Sequence, residues 1–504
     1  MTAPTRCDVL ISGLGPVGAA LAALLVREGL SVIAVEKETE VYPLPRAAHF
    51  DHEIMRLFQR LGIAETVLAD ARIAPAYEFR NAAGDILMRY DLVAQGSPSG
   101  WAPSFMFHQP TLEHALRAQA AASPLAELRL GRTLKTFTQD SGAVAAVIDG
   151  PDGVEQVEAA WLVACDGARS PVREACGIGQ DDYRFDEPWL VIDALVSDPS
   201  RLPAANLQLC DPARPTTCLV MGAGRHRWEF MLLPGERPED VLEDAVIRRL
   251  LAPWDCEDCV TIERKAVYRF HGRVAERWRQ GRVLLAGDAA HQTPPFAGQG
   301  MCSGLRDAAN LAWKLAAVTR DGADPGLLDS YQPEREPHVR GVIELAIQMG
   351  RVVCVSDPDM AAARDAGMLA QRAAGAPPPP TPVSKLGPGF ALADSPGGGE
   401  LFPQPWADVD GRTIRLDDVL GEGPWLIARQ SSEAARGLDE PALVPFAGAL
   451  GGWLDARTAE AVLVRPDRYV FATGPASRLS AAWSGGLKAG PAPDGPAGSH
   501  SPGP

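Results

Sequence analysis

Hydrophobic and polar positions follow three different rhythms along this chain. Cys7–Ser12, Ser31–Val35, Trp161–Ala164 and Val283–Ala286 are short, mostly apolar runs of the kind that form strands buried on both faces. Each stops at a glycine or an acid: Gly13, Glu36, Asp166-Gly167 and Gly287-Asp288. Helical spacing governs Ala19–Arg27, the stretch with Ile54, Leu57, Phe58 and Leu61, and the segment from about Ser303, where Leu305, Ala309, Ala312, Trp313 and Ala316 share a face. Phe107–Ala120 reads as a strand end running into a helix. Tyr77–Val93 predicts a hairpin turning at Ala83-Gly84-Asp85, and Val144–Ile148 with Val154–Ala159 predicts another about Asp152-Gly153. From Asp181 to about Tyr268 the chain turns β-rich. There Trp228, Phe230 and Leu232 alternate with Glu229 and Met231, so one set faces a core and the other a surface or pocket.

A chain of 504 residues exceeds what one hydrophobic core holds and predicts two to four domains. Leu327–Gly350 continues as helices, and the proline run within 374–382 marks a stiff linker. Asp408–Leu420, Pro424–Arg429 and Ala461–Thr473 then outline a small α/β domain ending near 480, with 481–504 expected as a disordered tail. The net charge of −16 and the lack of a basic run argue against a nucleic-acid partner. Nine scattered cysteines suggest a reducing cytoplasm, and Val9–Val26, broken by glycines and a proline, reads as neither membrane span nor signal segment. The predicted protein is therefore cytoplasmic, with no membrane association.

The chemistry concentrates where the apolar runs stop. Gly13, Gly15 and Gly18, with Pro16 between, have the G-x-G-x-x-G spacing that lets a pyrophosphate approach a helix N-terminus. Glu36, followed by Lys37, stands where such a unit places its ribose-binding acid. Pro294, Pro295, Gly298, Gln299, Gly300 and Met301 form a small-residue loop into a helix, suited to lie flush against a flat ligand. Arg46 is placed to reach back towards that ligand. His49 and His52 lack a third ligand nearby, and Cys256 and Cys259 lack a second pair, so no metal is expected.

Taken together, GLGPVG with Glu36, CDGARSPVR and RVLLAGDAAHQTPPFAGQG resemble the signature motifs of single-component FAD-dependent aromatic hydroxylases, the para-hydroxybenzoate hydroxylase group. RWEFMLLPGE, LLDSYQPEREPH and LVRPDRYVFAT narrow the resemblance to 3-(3-hydroxyphenyl)propionate hydroxylase and its relatives, from about residue 6 to 475. The resemblance implies an α/β fold: a Rossmann-like FAD-binding domain over 1–180 and 271–373, an inserted substrate-binding β domain over 181–270 joined by the 77–93 hairpin, a linker at 374–400, and a thioredoxin-like domain over 401–480. That last domain has no cysteine, so thiol redox chemistry is excluded and a structural or homodimer-forming role is expected.

By the same resemblance NADH or NADPH reduces FAD, and a flavin C4a-hydroperoxide hydroxylates a phenol. The substrate is expected to be like 3-(3-hydroxyphenyl)propionate, or else an aromatic polyketide in antibiotic tailoring. The glycines, Glu36, Arg46, Gln109, Asp166, Gly167, Gly287, Asp288 and the Pro295–Met301 loop are implied in FAD binding. His49, Pro294, Arg225 and Arg227 are candidates for the substrate pocket, and no side-chain base is assigned. Ala48-His49-Phe50 and Met301-Cys302 depart from the relatives' pattern beside that pocket. A flavin halogenase is disfavoured by the lack of a GWxWxIP stretch, a simple dehydrogenase by the paired Asp-Gly and Gly-Asp motifs, and a non-catalytic flavoprotein is the minor alternative.

Overall fold

The computed structural model describes residues 4–43, 46–93, 96–222, 224–392 and 394–490, which form two compact units. The first comprises 1–312, 338–383 and 403–406. Its central sheet places Ala126–Leu130, Val32–Glu36, Thr5–Ser12, Gly153–Ala164 and Val283–Leu285 side by side, all parallel. Arg279–Gln280 closes one edge antiparallel, and Thr133–Gln139 with Val144–Gly150 hangs from the first half of Gly153–Ala164. Val9, Leu10, Ile11, Leu162, Val163 and Leu284 are fully buried, as uninterrupted apolar runs require in a parallel sheet covered on both faces. Because the strands are parallel, their carboxyl ends coincide. Gly13 N–H donates to Val35 O at 2.8 Å, Cys165 N–H to Ser12 O at 2.7 Å, and Ala286 N–H to Ala164 O at 2.9 Å. All four motif turns therefore emerge along one edge.

A second sheet of eight strands runs His291–Gln292, Val260–Ala275, Gln180–Val196, Arg225–Met231, Thr216–Val220, Asn206–Leu209, Ala76–Arg80, Ile86–Asp91. The early hairpin joins it through the parallel pair Asn206–Leu209 and Ala76–Arg80. One face carries Leu190, Ile192, Leu207, Cys218, Trp228 and Phe230, which pack with Ile247, Leu251, Cys256 and Cys259 into an apolar core. Cys256 and Cys259 are thus core thiols, and burial pushes Cys256 up to about 11. The alternation at Trp228–Leu232 is resolved: Trp228, Phe230 and Leu232 face this core, so Arg227, Glu229 and Met231 look the other way.

The second unit comprises 313–337, 384–402 and 407–504, described to residue 490. Its four-stranded sheet orders Arg436–Gly437, Trp425–Ala428, Ala461–Val464 and Val470–Gly474, the first pair parallel and the rest antiparallel. Val462 and Val464 face a core with Phe402, Trp425, Phe446 and Leu450, while Leu463 faces one with Trp313, Phe390, Phe471 and Leu479. A tail beginning at 481 was the expectation, but Ala476–Ala489 is a helix. Leu479, Trp483 and Leu487 lie four apart on one face and pack into the second of these cores, an apolar stripe that outweighs the local glycines. The remainder of that expected tail, from 491, lies outside the described residues.

Candidate active site

The three fingerprint glycines have three different surroundings. Gly13, at φ +94°, could not carry a Cβ, which would lie 2.4 Å from Cys165 O. Gly18 packs the helix against the turn so closely that a Cβ would lie 2.0 Å from Gly13 O. Gly15 is different: no atom lies within 4 Å of where its Cβ would be, and its φ of −68° is ordinary. The chain has left space directly over the N-terminus of Pro16–Arg27. That is where a dinucleotide fold admits the pyrophosphate.

Glu36, at the end of the next strand, accepts Leu14 N–H on Oε2 at 2.8 Å and Glu38 N–H on Oε1 at 3.1 Å, fixing its carboxylate beside the glycine turn. Lys37 points to solvent, 3.9 Å from Glu38. Gln109 Oε1 accepts the N–H groups of Arg46 and Ala47 at 2.9 and 2.6 Å, so it holds the Arg46 segment by its backbone. The Arg46 guanidinium lies 5.4 Å over the Tyr42 ring. Two helix residues absent from the sequence-based set complete this wall. Gln109 Nε2 donates to Glu113 at 2.6 Å, and Arg117 Nε donates to Leu14 O at 3.0 Å. The spacing of Gln109, Glu113 and Arg117 at i, i+4 and i+8 on one helix was the available signal.

At the third turn Asp166 Oδ2 accepts Val172 N–H at 3.3 Å, while Oδ1 is buried and meets no partner. Burial pushes this carboxyl above its ordinary range. Arg173, buried, donates to Ala168 O and Ala289 O at 3.1 Å each and so ties the Asp166-Gly167 and Gly287-Asp288 turns together. Asp307 accepts Gly287 N–H at 3.1 Å and lies 2.7 Å from His291 Nε2, buttressing the fourth turn from the helix behind it. Asp288 is exposed to solvent, although the protein atoms packed around its carboxyl push it above the ordinary range, with His291 and Arg46 opposing.

Pro295–Ala297 is a short 3₁₀ turn, Gly298 has φ +62°, and the long helix starts at Gly300. His49 Nδ1 lies 3.0 Å from Gly298 O, and burial holds its imidazole below the usual value. Arg306 anchors the loop from below, donating to Gln299 Oε1 at 3.1 Å and to Glu53 and Asp51 at 2.6 Å each. Met301 is half-buried, Pro294 is buried, and Thr293 Oγ1 is buried with no partner.

The second sheet reaches this loop from the other side. Tyr77 hydroxyl donates to Phe296 O at 3.0 Å and accepts from Gln208 Nε2 at 2.6 Å, and Phe185, Trp189 and Phe270 surround the Phe296 ring. Arg225 and Arg227, candidates for a substrate carboxylate, are both paired within the chain. Arg225 forks onto Glu263 at 2.8 and 3.2 Å; Arg227 forks onto Asp193 at 2.6 and 3.2 Å and donates to Arg46 O at 2.7 Å. Among the described residues no cluster of His, Cys, Asp or Glu is arranged to hold a metal ion, and no helix is long and apolar enough to cross a membrane.

Residues 6–346 match a family model described as an FAD binding domain, and 439–488 match one described as an HcaD C-terminal domain. A probable NADH-specific resorcinol 4-hydroxylase of Rhodococcus jostii is 38% identical over 92% of this chain and 91% of its own length. A 3-(3-hydroxy-phenyl)propionate/3-hydroxycinnamic acid hydroxylase of Mycolicibacterium smegmatis is 32% identical over 95% and 92%. Among solved structures, aklavinone-11 hydroxylase in complex with FAD and aklavinone superposes with a TM-score of 0.77 at 26% identity, covering 96% of this chain and all of that one. With its glycine turn, its four carboxyl-edge motifs and relatives matched over nearly its full length, the chain belongs to the class A FAD-dependent aromatic hydroxylases.

Proposed function

We propose that the protein hydroxylates a phenolic ring, taking one oxygen atom from O2 and electrons from NADH or NADPH, with FAD held along the carboxyl edge of the parallel sheet. The observation that carries this reading is the open space over Gly15 at the carboxyl edge of the parallel sheet, where the Asp166-Gly167 and Gly287-Asp288 turns also emerge. These fit FAD: Gly13, Gly15 and Gly18 would admit its pyrophosphate, Glu36 and Lys37 its adenosine ribose, and Arg46, Gln109 and Asp288 its phosphate and ribityl portions. Asp166 and Gly167 would serve the shared flavin and nicotinamide motif. Pro295 and Gly298–Met301 would lie against the ring, where backbone amides at the helix start favour negative charge. Bound there, FAD would relay the reducing equivalents of NADH or NADPH and supply the oxygen activation that no side chain provides.

The chain's own task is then to orient and to exclude water. Gln109 and Arg227 hold the Arg46 segment from its amides and its carbonyl, while Tyr77 and Arg306 pin the Phe296–Gln299 loop from opposite sides. The aromatic packing around Phe296 keeps water from that side of the loop, which limits unproductive loss of activated oxygen. A polyketide-sized substrate is the second reading, favoured by the likeness to aklavinone-11 hydroxylase. The test is reconstitution with FAD followed by NADH and NADPH oxidation in air, with and without resorcinol or 3-(3-hydroxyphenyl)propionate. Stimulated oxidation with a hydroxylated product is expected; FAD uptake with no stimulation by either would move the search to larger phenols, and failure to bind FAD would refute the proposal.

A further inference from the structure

Glu229 sits on the Arg225–Met231 strand, on the face turned away from the apolar core, opposite Val191 on one side and Thr217 on the other. It is 5% exposed. Among the described residues its carboxylate meets one group, the Arg227 guanidinium at 3.8 Å, beyond hydrogen-bond reach. Arg227 is itself occupied by Asp193 and Arg46 O, and Arg264 approaches Asp193 at 3.3 Å. Nearby polar groups satisfy one another: Thr217 hydroxyl donates to Gln208 Oε1 at 2.7 Å, Gln208 donates to Tyr77, and Tyr77 donates to Phe296 O. A carboxylate largely withdrawn from water that accepts no hydrogen bond from the described residues favours a donor.

Its position suits that need. Two residues away on the same face Arg227 tethers the sheet to the Arg46 segment, and Tyr77, close enough for the Glu229 charge to oppose its ionisation, tethers it to the Pro295–Gly298 loop. The charged groups facing Glu229 are Arg227 on its own strand, Asp193 on Gln180–Val196 and Arg264 on Val260–Ala275, with Tyr77 beyond. Burial pushes its carboxyl up, which narrows the gap to a phenol and suits a group that exchanges a proton with one. On this face Arg225 is paired with Glu263, and Arg227 and Arg264 share Asp193.

On the hydroxylase reading above, we propose that Glu229 is a catalytic residue that accepts the hydroxyl proton of the substrate, and that the substrate is an uncharged phenol rather than an aryl carboxylate. The phenolic O–H breaks and an O–H forms on Glu229 as the oxygen's electron pair moves into the ring and the ortho or para carbon bonds one oxygen atom derived from O2, whose O–O bond breaks so that the other oxygen leaves with the bonding pair and becomes water. That carbon then loses its hydrogen to solvent as a proton. Glu229 returns its own proton to the substrate oxygen, and the aromatic ring is restored. O2 and NAD(P)H supply the oxygen and the electrons, and water is the second product.

The test uses FAD-loaded wild type, E229Q and E229D with resorcinol and 3-(3-hydroxyphenyl)propionate as probes. It measures binding by the change in flavin absorbance, kcat and KM, product formed per NADH, and the pH profile of kcat. Wild type should favour resorcinol in kcat/KM at least tenfold. E229Q should keep its FAD, lose about 100-fold or more in kcat with a smaller change in KM, and lose the acid limb of the profile, with partial recovery in E229D. E229Q within threefold of wild type, or a preference for the propionate, overturns the assignment while leaving the hydroxylase reading intact. If no phenol stimulates wild-type NADH oxidation, the hydroxylase reading falls and this assignment with it.

Discussion

Alanine at each fingerprint glycine separates cofactor binding from folding, because the three surroundings differ. At Gly15 a methyl meets nothing within 4 Å and the backbone is ordinary, so Gly15→Ala leaves the apoprotein with close to wild-type stability. A gain of about 0.4–1 kcal/mol from the stiffer unfolded chain is offset by the lower preference of alanine for the N-cap position that Gly15 holds. At Gly18 the methyl lies 2.0 Å from Gly13 O, which is backbone and cannot turn aside. Overpacking of that kind costs about 1–3 kcal/mol, and more where nothing can shift. Gly13→Ala adds a left-handed φ of +94° to a 2.4 Å clash and should prevent folding of the first unit. The Gly15 methyl instead enters the space assigned to the pyrophosphate. A similar 1–3 kcal/mol, now charged to binding alone, weakens FAD by roughly 5- to 150-fold. Urea unfolding of apoprotein and fluorescence titration with FAD measure the two quantities. Gly15→Ala with wild-type FAD affinity, or with an apoprotein as unstable as Gly18→Ala, would refute the reasoning.

Two further outcomes follow from buried charges. In the second unit Glu334, fully buried, accepts from Lys314 at 2.7 Å, from both Arg465 nitrogens at 2.8 Å and from Phe390 N–H at 2.6 Å, so Glu334→Gln takes the carboxylate from buried Lys314, while Arg465 keeps Asp467 at 2.6 Å, and should cost about 3 kcal/mol in urea unfolding; a loss under 1 kcal/mol would contradict this. Because burial holds His49 below its ordinary value of about 6.5, the unfolded chain binds the extra proton in the window between the two values. Stability from this group therefore rises with pH through that window and is flat above it. Comparison of wild type with His49→Gln from pH 5 to 8 should show the difference only below about 6.5, and a difference that appears on raising the pH above 7 would count against it.

The strands of the parallel sheet and the turns at their ends could be read from the sequence because both are local: an apolar run followed by a glycine or acid needs no partner to be recognised. Period-two alternation likewise announced that the Arg225–Met231 strand is two-faced. Which face meets the core was not legible, since that depends on Ile247 and Leu251 arriving from a later helix. Ion pairs were hidden for the same reason. Asp51 and Glu53 find Arg306 some 250 residues away, and Asp193 claims Arg227, turning a candidate substrate-binding arginine into a tether. The helix at Ala476–Ala489 was obscured by its glycines, although Leu479, Trp483 and Leu487 carried the apolar stripe.

The central claim is that this chain transfers an atom of dioxygen to a phenol. It is tested most directly by turning over the FAD-loaded protein with NADH and resorcinol under isotopically labelled O2 and weighing the product. One labelled oxygen in a newly formed hydroxyl, with NADH consumed in step, is the predicted result. A hydroxylated product that carries no labelled oxygen would contradict it.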